Sequence, residues 1–303
     1  MACRLVPTIA LICVTCSLLA AVPNVRTLQL HTRSRDVGSI EATKPKTTEK
    51  TINWDPQKTA IIVVDMWDDQ WCKGAAERVA ELAAPVNKFV GEGRHRGVLI
   101  VHCPSTCVDF YKDTAARRRA IAAPYAKPPI KLASSERWGT AWDWPDKSRE
   151  SELPIDDSDM GCDCEKQCKI EPPWKRQIST IEIDDAKDAI TDNGQELYNL
   201  FAQRGIENVL ICGVHLNMCV LGRPVGIRQL TKLGKNVALV RDLTDTMYNH
   251  RMRPFIDHFS GTDLVVEHVE KYWCPTIEST DLVDGKPFRF AENPNASVAA
   301  QQR

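Results

Sequence analysis

A short apolar run that ends in glycine and leads to a cysteine restricts the fold more than any other part of this 303-residue chain. The run VLIC at residues 209–212 is followed by Gly213, a pattern typical of a buried strand that ends in a turn. The next residues lead into helical spacing, with Cys219 at the start of the predicted helix. The free N–H groups at a helix start favour a thiolate over a thiol. The pattern therefore predicts a nucleophilic cysteine, with a buried structural cysteine as the alternative.

The spacing of these residues resembles a known family. Gly213 and Val214, four further residues, and then Cys219 and Val220 resemble the cysteine-hydrolase branch of the isochorismatase-like superfamily, which includes nicotinamidases and N-carbamoylsarcosine amidohydrolase. The resemblance implies a non-proline cis peptide at Val214–His215 and an Asp/Lys/Cys catalytic triad. It also implies that the backbone N–H groups of His215 and Cys219 hold the oxyanion.

The aspartate of the triad is predicted at the end of another strand. Residues 59–64 form a continuous apolar run, which suits a central parallel strand covered on both faces, and Asp65 follows it. Ligand sites of open α/β sheets lie at such strand ends. Within the resemblance, Asp65 is the general base that takes the proton of Cys219 and delivers it to a leaving amine. The alternative is an aspartate that only caps the following turn.

The lysine of the triad is predicted less directly. Residues 178–183 alternate in polarity and predict a third strand, after which the lysine should follow. Lys187 is the only lysine nearby, and its ammonium would stabilise the thiolate and an anionic intermediate. Counted from the neighbouring helix and strand, the position of the family's lysine falls one residue before Lys187. The alternative is that Lys187 is an exposed surface lysine and that aspartates lie near the catalytic position instead. Arg223 and Arg228 are predicted to be ordinary surface charges, although either could reach an anionic substrate.

Several side chains are candidates for the substrate pocket: Trp67, Trp71, His102, His215 and Asn217. The two tryptophans either line the pocket or pack under a loop. Nicotinamidases of the family carry an Asp-x-His…His metal site, and this sequence has no such spacing near its first two strands. We therefore predict no catalytic metal and no cofactor.

The ends of the chain differ in composition from the rest. Residues 1–22 have one arginine, an apolar core and small residues near their end, which is typical of a secretory signal peptide; a retained membrane anchor is the alternative. Residues 23–51 are polar and predict an exposed or disordered leader. We expect one domain at 52–290, an insertion at about 104–177 and a loose tail at 291–303. The mature protein is then secreted or periplasmic, without a stable membrane span.

Cysteines are frequent for a chain of this length. Removal of the signal peptide takes three of the twelve and leaves nine, which in an exported protein predicts one free nucleophile and up to four disulfides. Cys162, Cys164 and Cys168 lie in the insertion at a spacing that also suits metal ligands, but no Cys-x-x-Cys pair supports zinc, so disulfides are preferred. Cys212 is predicted to be a buried free thiol. Whether the aspartates of residues 156–159 bind Ca²⁺ stays open, because they lack the EF-hand spacing.

Six predicted strands with interleaved helices indicate a Rossmann-like, three-layer α/β/α domain with a mainly parallel sheet. The strands are predicted at residues 59–65, 97–102, 178–183, 209–212, 235–240 and 264–268. The resemblance implies the strand order 3-2-1-4-5-6, which places Asp65 and Cys219 on adjacent strands.

Together these features predict an exported cysteine hydrolase that cleaves a small amide-type C–N bond through a thioester. The alternatives are a catalytically inactive binding protein on the same fold and an enol-ether hydrolase of the same superfamily. A formal net charge of −1 gives no argument for nucleic acid as a partner. The expected partner is a small-molecule substrate, and self-association, which is common in the family, is left open.

Overall fold

The computed structural model describes residues 27–36 and 46–294. The strands are β1 (Leu28–Arg35), β2 (Thr47–Trp54), β3 (Thr59–Val64), β4 (Leu99–Cys103), β5 (Glu136–Arg137), β6 (Thr140–Ala141), β7 (Ala189–Ile190), β8 (Asn208–Val214), β9 (Asn236–Asp245) and β10 (Thr276–Ile277). The α-helices are α1 (Lys73–His95), α2 (Ala115–Ile121), α3 (Gly194–Arg204), α4 (Ile227–Lys232) and α5 (His258–Tyr272). A π-helical turn covers Leu216–Val220. The predicted signal peptide and residues 295–303 of the predicted tail lie outside the described residues.

The main sheet has eight strands in the order β2-β1-β10-β9-β8-β3-β4-β7. The run from β10 to β7 is parallel throughout, whereas β1 and β2 extend it as antiparallel strands. The prediction of a six-stranded sheet was therefore wrong in the number of strands. The smaller second sheet pairs β5 with β6.

Two of the predicted strands were placed in the wrong segments. Residues 264–268 lie inside α5, because Asp257 caps this helix by accepting hydrogen bonds from the backbone N–H groups of Phe259 and Ser260. A short apolar run does not by itself distinguish a strand from a buried helix. Residues 178–183 form no strand, and β7 occupies the expected edge position. Ile178 and Ile181 of this segment nevertheless pack against the core under α1.

Helices cover both faces of the sheet. Along β3, Ala60, Ile62 and Val64 face the core that includes side chains of α3, α4 and α5, while Ile61 and Val63 face the core under α1. This alternation explains why β3 is apolar at every position, since both of its faces are buried. Full burial of each such isoleucine or valine side chain contributes about 1.5–3 kcal/mol.

Most of the described residues in the segment predicted as an exposed or disordered leader belong to the sheet. β1 and β2 pair along their whole length, and Leu28 and Leu30 are fully buried against the core. The prediction was wrong for these residues because the strands are rich in polar side chains and β2 is exposed at most positions, so the sequence shows little period-2 pattern. Arg33 and Arg35 both bind the carboxylate of Glu270 in α5, and thereby fix β1 to the neighbouring helix.

The insertion at 104–177 contains few regular elements: a 3₁₀ turn at Val108–Tyr111, α2, and the β5–β6 pair. It is nevertheless packed, because Trp142, Ile155 and Cys162 are buried in the core that includes α5. Its path brings it next to the ends of β3 and β8. In the described part of the chain, none of the helices is both long and apolar enough to cross a membrane.

Candidate active site

The two strands that carry the predicted catalytic residues are neighbours in the sheet. Val64 of β3 lies opposite Gly213 of β8, so Asp65 follows β3 next to the turn that contains Cys219. Gly213 has a φ of +105°, and a side-chain Cβ at this position would lie 2.1 Å from the carbonyl oxygen of Val64. Only glycine permits this close approach of the two strand ends.

The turn after β8 has the predicted backbone. The peptide bond between Val214 and His215 is cis, which confirms the expectation from the sequence. The N–H of Val220 donates to the carbonyl of His215 at 3.1 Å, which closes the π-helical turn. Single π-turns of this kind are frequent at functional sites. Cys219 lies within the turn and is buried.

Asp65 is fully buried and has two fixed partners. The backbone N–H of Ser105 donates to Oδ1 at 2.7 Å, and Nε of Arg223 lies 3.2 Å from Oδ2. The carboxylate also lies near the thiol of Cys219, whose pKa its charge raises. Asp65 therefore lies where it can accept the proton of this thiol.

The electrostatic state of Cys219 differs from the prediction. Burial, followed by the nearby charge of Asp65, raises the pKa of the Cys219 thiol to about 12, although Arg223 and the N–H of His215 act in the opposite direction. The sequence predicted a stabilised thiolate from the start of a helix. That expectation was wrong because burial and a neighbouring carboxylate outweigh the backbone dipoles. At neutral pH the resting group is a thiol beside a carboxylate.

Arg223 is the cation of the site. Its side chain is 1% exposed, and Nη1 donates to the hydroxyl of Thr140 at 2.5 Å and to the carbonyl of Trp138 at 3.2 Å. Burial alone would lower the pKa of Arg223, but Cys219 and Asp65 raise it above its ordinary value. The interpretation of Arg223 as surface charge was wrong. The sequence did contain one indication that Arg223 belongs to the site: it lies four residues after Cys219, and residues at that spacing share one face of a helix.

Lys187 does not join these residues. Its Nζ lies 3.4 Å from Oδ2 of Asp184, and its side chain is 68% exposed. It borders a surface groove with Gly97 and Leu99, at the beginning of β4. Asp65 follows the end of β3, which is parallel to β4, so Lys187 and Asp65 lie at opposite ends of these strands. The prediction that Lys187 contacts Cys219 was wrong.

A cavity of about 530 Å³ opens above Cys219. Its walls are mainly aromatic side chains and methionines, and the predicted pocket residues Trp67, Trp71 and His215 are among those that line it. The insertion and the loops around it contribute lining residues that the sequence did not predict: Thr106, Trp138, Met160, Ile170 and Trp174. The ring of Trp174 stacks on Trp67 with 4.1 Å between the centroids. The insertion therefore borders the cavity.

His102 and Asn217 are absent from the lining and have other partners. Nδ1 of His102 lies 3.0 Å from Oε1 of Gln177, and Nε2 lies 3.1 Å from Asp188. Asn217 donates to Oδ2 of Asp157 in the insertion at 2.9 Å. Both side chains thus connect segments around the site instead of contacting the cavity.

His215 presents a neutral ring to the cavity. Burial lowers its pKa to about 4. Its Nε2 is buried and has no hydrogen-bond partner in the described part of the chain. A buried nitrogen without a partner costs free energy, so His215 can contribute to the recognition of a polar ligand atom.

The nine cysteines in the described residues are all free thiols. The predicted disulfides were therefore wrong for this part of the chain, and the prediction of a buried free thiol at Cys212 is confirmed. The sulfur atoms of Cys72 and Cys164, which are in contact, are 3.8 Å apart, whereas a disulfide requires about 2.05 Å.

No family model and no curated protein matches the sequence. Solved structures that are similar include a cysteine hydrolase from Pseudomonas syringae, with 15% identity, 75% of this chain and 91% of that chain covered, and a TM-score of 0.45. N-carbamoylsarcosine amidase from Thermoplasma acidophilum has 13% identity, covers 75% and 99%, and has a TM-score of 0.39. Pyrazinamidase of Pyrococcus horikoshii in complex with zinc has 18% identity, covers 73% and 99%, and has a TM-score of 0.37. These TM-scores lie below 0.5, so the functional interpretation rests on the residues of this chain.

Proposed function

We propose that the protein is a hydrolase that cleaves a small amide-type C–N bond through a thioester on Cys219. The observation that carries the proposal is the arrangement of three groups at one aromatic cavity: Cys219 and Arg223 line it, and Arg223 is paired at 3.2 Å with Asp65, which follows the strand next to that of Cys219. A nucleophile, a base and a fixed cation at one point are the parts that acyl transfer requires.

The first half of the reaction forms the thioester. Asp65 accepts the proton of Cys219 while the sulfur bonds to the carbonyl carbon of the substrate, and the electron pair of the C=O bond moves to oxygen. We assign the backbone N–H groups of His215 and Cys219 to this oxyanion. The C–N bond then breaks, and Asp65 delivers the proton to the leaving nitrogen.

The second half consumes one water molecule. Asp65 takes a proton from the water, whose oxygen bonds to the thioester carbon. The C–S bond breaks, the carboxylic acid product is released, and the proton on Asp65 returns to Cys219. Because the same carboxylate acts as base and then as acid in each half, no other titrating side chain is needed.

Arg223 takes the role that the resemblance assigned to a lysine. The raised pKa of Cys219 means that formation of the sulfur nucleophile beside Asp65 is costly in the empty site. Arg223 is held by Asp65 and by the loop that contains β5 and β6, so its positive charge is already oriented when negative charge develops. A preorganised charge of this kind lowers the barrier without reorganisation during the reaction.

The cavity indicates the substrate class. Its volume lies in the range of small-molecule sites, and its walls carry the tryptophans at 67, 71, 138 and 174. We therefore propose an amide with an apolar or aromatic group next to the scissile bond. Among the described lining side chains, Nε2 of His215 and Nε2 of Gln70 are buried without a hydrogen-bond partner, and they would pair with polar atoms of that substrate.

The test is to trap the thioester. The full-length mature protein would be incubated with a panel of small aromatic and aliphatic amides, and intact-mass spectrometry would detect an acyl adduct, with hydroxylamine used to release it as a hydroxamate. We expect an adduct that disappears in Cys219→Ala. Cys212→Ala is the matched control, because Cys212 is also buried but packs on the other face of the sheet.

Tight binding of an amide without an adduct or turnover would contradict the hydrolase and favour the binding protein. Turnover that survives in Cys219→Ala would contradict the thioester and favour chemistry without a cysteine nucleophile.

Export is part of the proposal and rests on the composition of residues 1–22. N-terminal sequencing of the protein recovered from its native cells tests it. We expect a mature chain that begins near residue 23, and an intact N-terminus on protein in the cytoplasm would contradict export.

A further inference from the structure

Three cysteine thiols converge at the N-terminus of α1, away from Cys219, and a fourth cysteine adjoins them. Cys72 is the N-cap residue of this 23-residue helix, and Cys162, Cys164 and Cys168 come from the insertion. The sulfur atoms of Cys72, Cys162 and Cys164 all lie within 4.8 Å of one another. Cys168 adjoins this group, because its backbone N–H donates to the sulfur of Cys162 at 3.5 Å. Two distant parts of the sequence thus bring three soft ligands together, with a fourth beside them.

The distances suit metal coordination better than disulfides. The sulfurs of Cys72 and Cys164 are 3.8 Å apart. Four sulfurs at about 2.3 Å from a tetrahedral zinc ion lie about 3.8 Å from one another. A disulfide would require this separation to shrink to about 2.05 Å.

We propose that Cys72, Cys162, Cys164 and Cys168 bind one zinc ion in a structural tetrathiolate site. Binding replaces four S–H bonds by four Zn–S bonds and releases up to four protons, with no change of oxidation state. Soft thiolate sets of this kind select zinc over the hard cations Mg²⁺ and Ca²⁺. A closed set of four protein ligands leaves no position for substrate, so the site is structural.

The surroundings of the cluster are those of a metal–thiolate site. The backbone at residues 73, 74 and 75, in the first turn of α1, lies beside Cys168, Cys164 and Cys72 and acts to lower the pKa of each thiol, in that order. The backbone N–H of Cys168 also donates to the sulfur of Cys162 at 3.5 Å. These N–H groups and the positive end of the helix would offset the net charge of −2 of a zinc tetrathiolate.

The carboxylate inside the cluster is already neutralised. Oδ1 of Asp163 lies 3.5 Å from the sulfur of Cys72, but Oδ2 accepts a 2.6 Å hydrogen bond from Arg78. A Cβ on Gly74 would lie 2.6 Å from Asp163, so glycine at the first turn makes room for this carboxylate. Asp163 therefore orients Arg78 and leaves the four sulfurs to the metal.

A bound metal would hold in place the segments that line the cavity. Trp71 directly precedes Cys72, Met160 lies two residues before Cys162, and Ile170 lies two residues after Cys168. All three side chains line the cavity. This consequence concerns the proposed catalytic cavity, whereas the metal site itself does not depend on the proposed reaction.

The experiment measures metal content without an activity assay. The mature full-length protein, purified under reducing conditions without chelator, would be analysed by inductively coupled plasma mass spectrometry and by intact mass. We expect one zinc ion per chain, at least a tenfold loss of zinc in Cys164→Ser and Cys168→Ser, and retention in the matched control Cys274→Ser. Cobalt exchanged into the natural protein should give the visible spectrum of a tetrahedral tetrathiolate.

A second measurement covers variants that fail to fold. Stepwise modification of the natural protein with a mercurial reagent should release the zinc after four thiols have reacted. Protein without tightly bound zinc, an intact mass that shows two disulfides among these cysteines, or zinc content unchanged by the serine substitutions would overturn the proposal.

Discussion

Arg223 and Arg228 lie five residues apart, both are buried, and each is paired with one buried carboxylate, yet their surroundings differ. Arg223 binds Asp65 and borders the cavity next to a thiol. Arg228 binds Glu150 at 2.7 and 3.0 Å through two nitrogens, and this buried pair borders a different groove, whose lining contains no cysteine.

The second carboxylate has all of its acceptor positions filled. Besides Arg228, His268 and Trp273 each lie 2.9 Å from Oε2 of Glu150. Although burial would raise it, the hydrogen bonds from His268 and Arg228 lower the pKa of Glu150 to about 2. The comparison shows that a buried ion pair is structural when every lone pair is satisfied, and available for chemistry when one partner contacts a reactive group.

The largest effect is expected on stability, when the pair of Arg228 and Glu150 is broken. Glu150→Gln removes the charge that compensates Arg228 and should lower the free energy of unfolding by about 3–5 kcal/mol, because a buried charge is left unpaired. Denaturant unfolding measures this change. Glu152→Gln, at an exposed position two residues away, is the control and should change stability by less than about 0.5 kcal/mol. A loss below about 1 kcal/mol in Glu150→Gln would show that Arg228 is not left as an unpaired buried charge.

The next largest effect is expected on activity, and it should differ between variants of the two arginines. Arg223→Lys keeps the charge but loses the planar contacts to Asp65 and to the loop, so kcat/KM of the proposed hydrolysis should fall about 100-fold. Arg228→Lys is the matched variant and should leave kcat/KM of the folded protein within about threefold, since its contacts lie outside the cavity. Equal losses in the two variants would remove the functional distinction between the pairs.

The pH dependence of stability should distinguish the two regions. The folded-state pKa of His215 is lowered from 6.5 to about 4, so the unfolded state binds more protons between these values. Stability from neutral His215 is complete above about pH 6.5 and is lost as the pH falls towards 4, by roughly 2–3 kcal/mol. The contribution of Glu150 is present above about pH 4.5 and is lost as the pH falls through 2.

Unfolding free energies measured across these two pH windows check this prediction. His215→Asn should flatten the upper window and leave the lower one unchanged, because the asparagine side chain does not titrate. An unchanged slope between pH 6.5 and 4 would mean that the ring of His215 is not held neutral by burial.

The smallest effect concerns the wall of the cavity. Trp174→Ala removes the stack on Trp67 and should raise KM about fivefold, about 1 kcal/mol, with kcat nearly constant, because the ring lies away from the reacting atoms. Trp144→Ala is the control, since Trp144 is half-exposed and does not line the cavity. Steady-state kinetics on one amide substrate separates the two parameters, and a fall in kcat alone would contradict a binding role.

Local patterns predicted the parts of the site that depend on strand ends. Asp65 follows an apolar run and Cys219 follows a glycine-terminated run, and both runs are paired strands of the sheet. The cis bond at Val214–His215 belongs to the same local segment. The pKa of Cys219 could not be predicted in this way, because it depends on burial by segments that are remote in sequence.

What the sequence alone determined was an α/β core and the positions of Asp65 and Cys219 at strand ends, because hydrophobic periodicity and turn residues act over a few positions. Only the tertiary structure decided which cation reaches Asp65, since Arg223 lies 158 residues away from it along the chain. The same holds for the four clustered thiols, where Cys72 meets Cys164 across 92 residues. The sequence around a charged or sulfur-containing side chain does not indicate which distant residue will contact it. Such pairings are therefore determined by the folding of the whole domain.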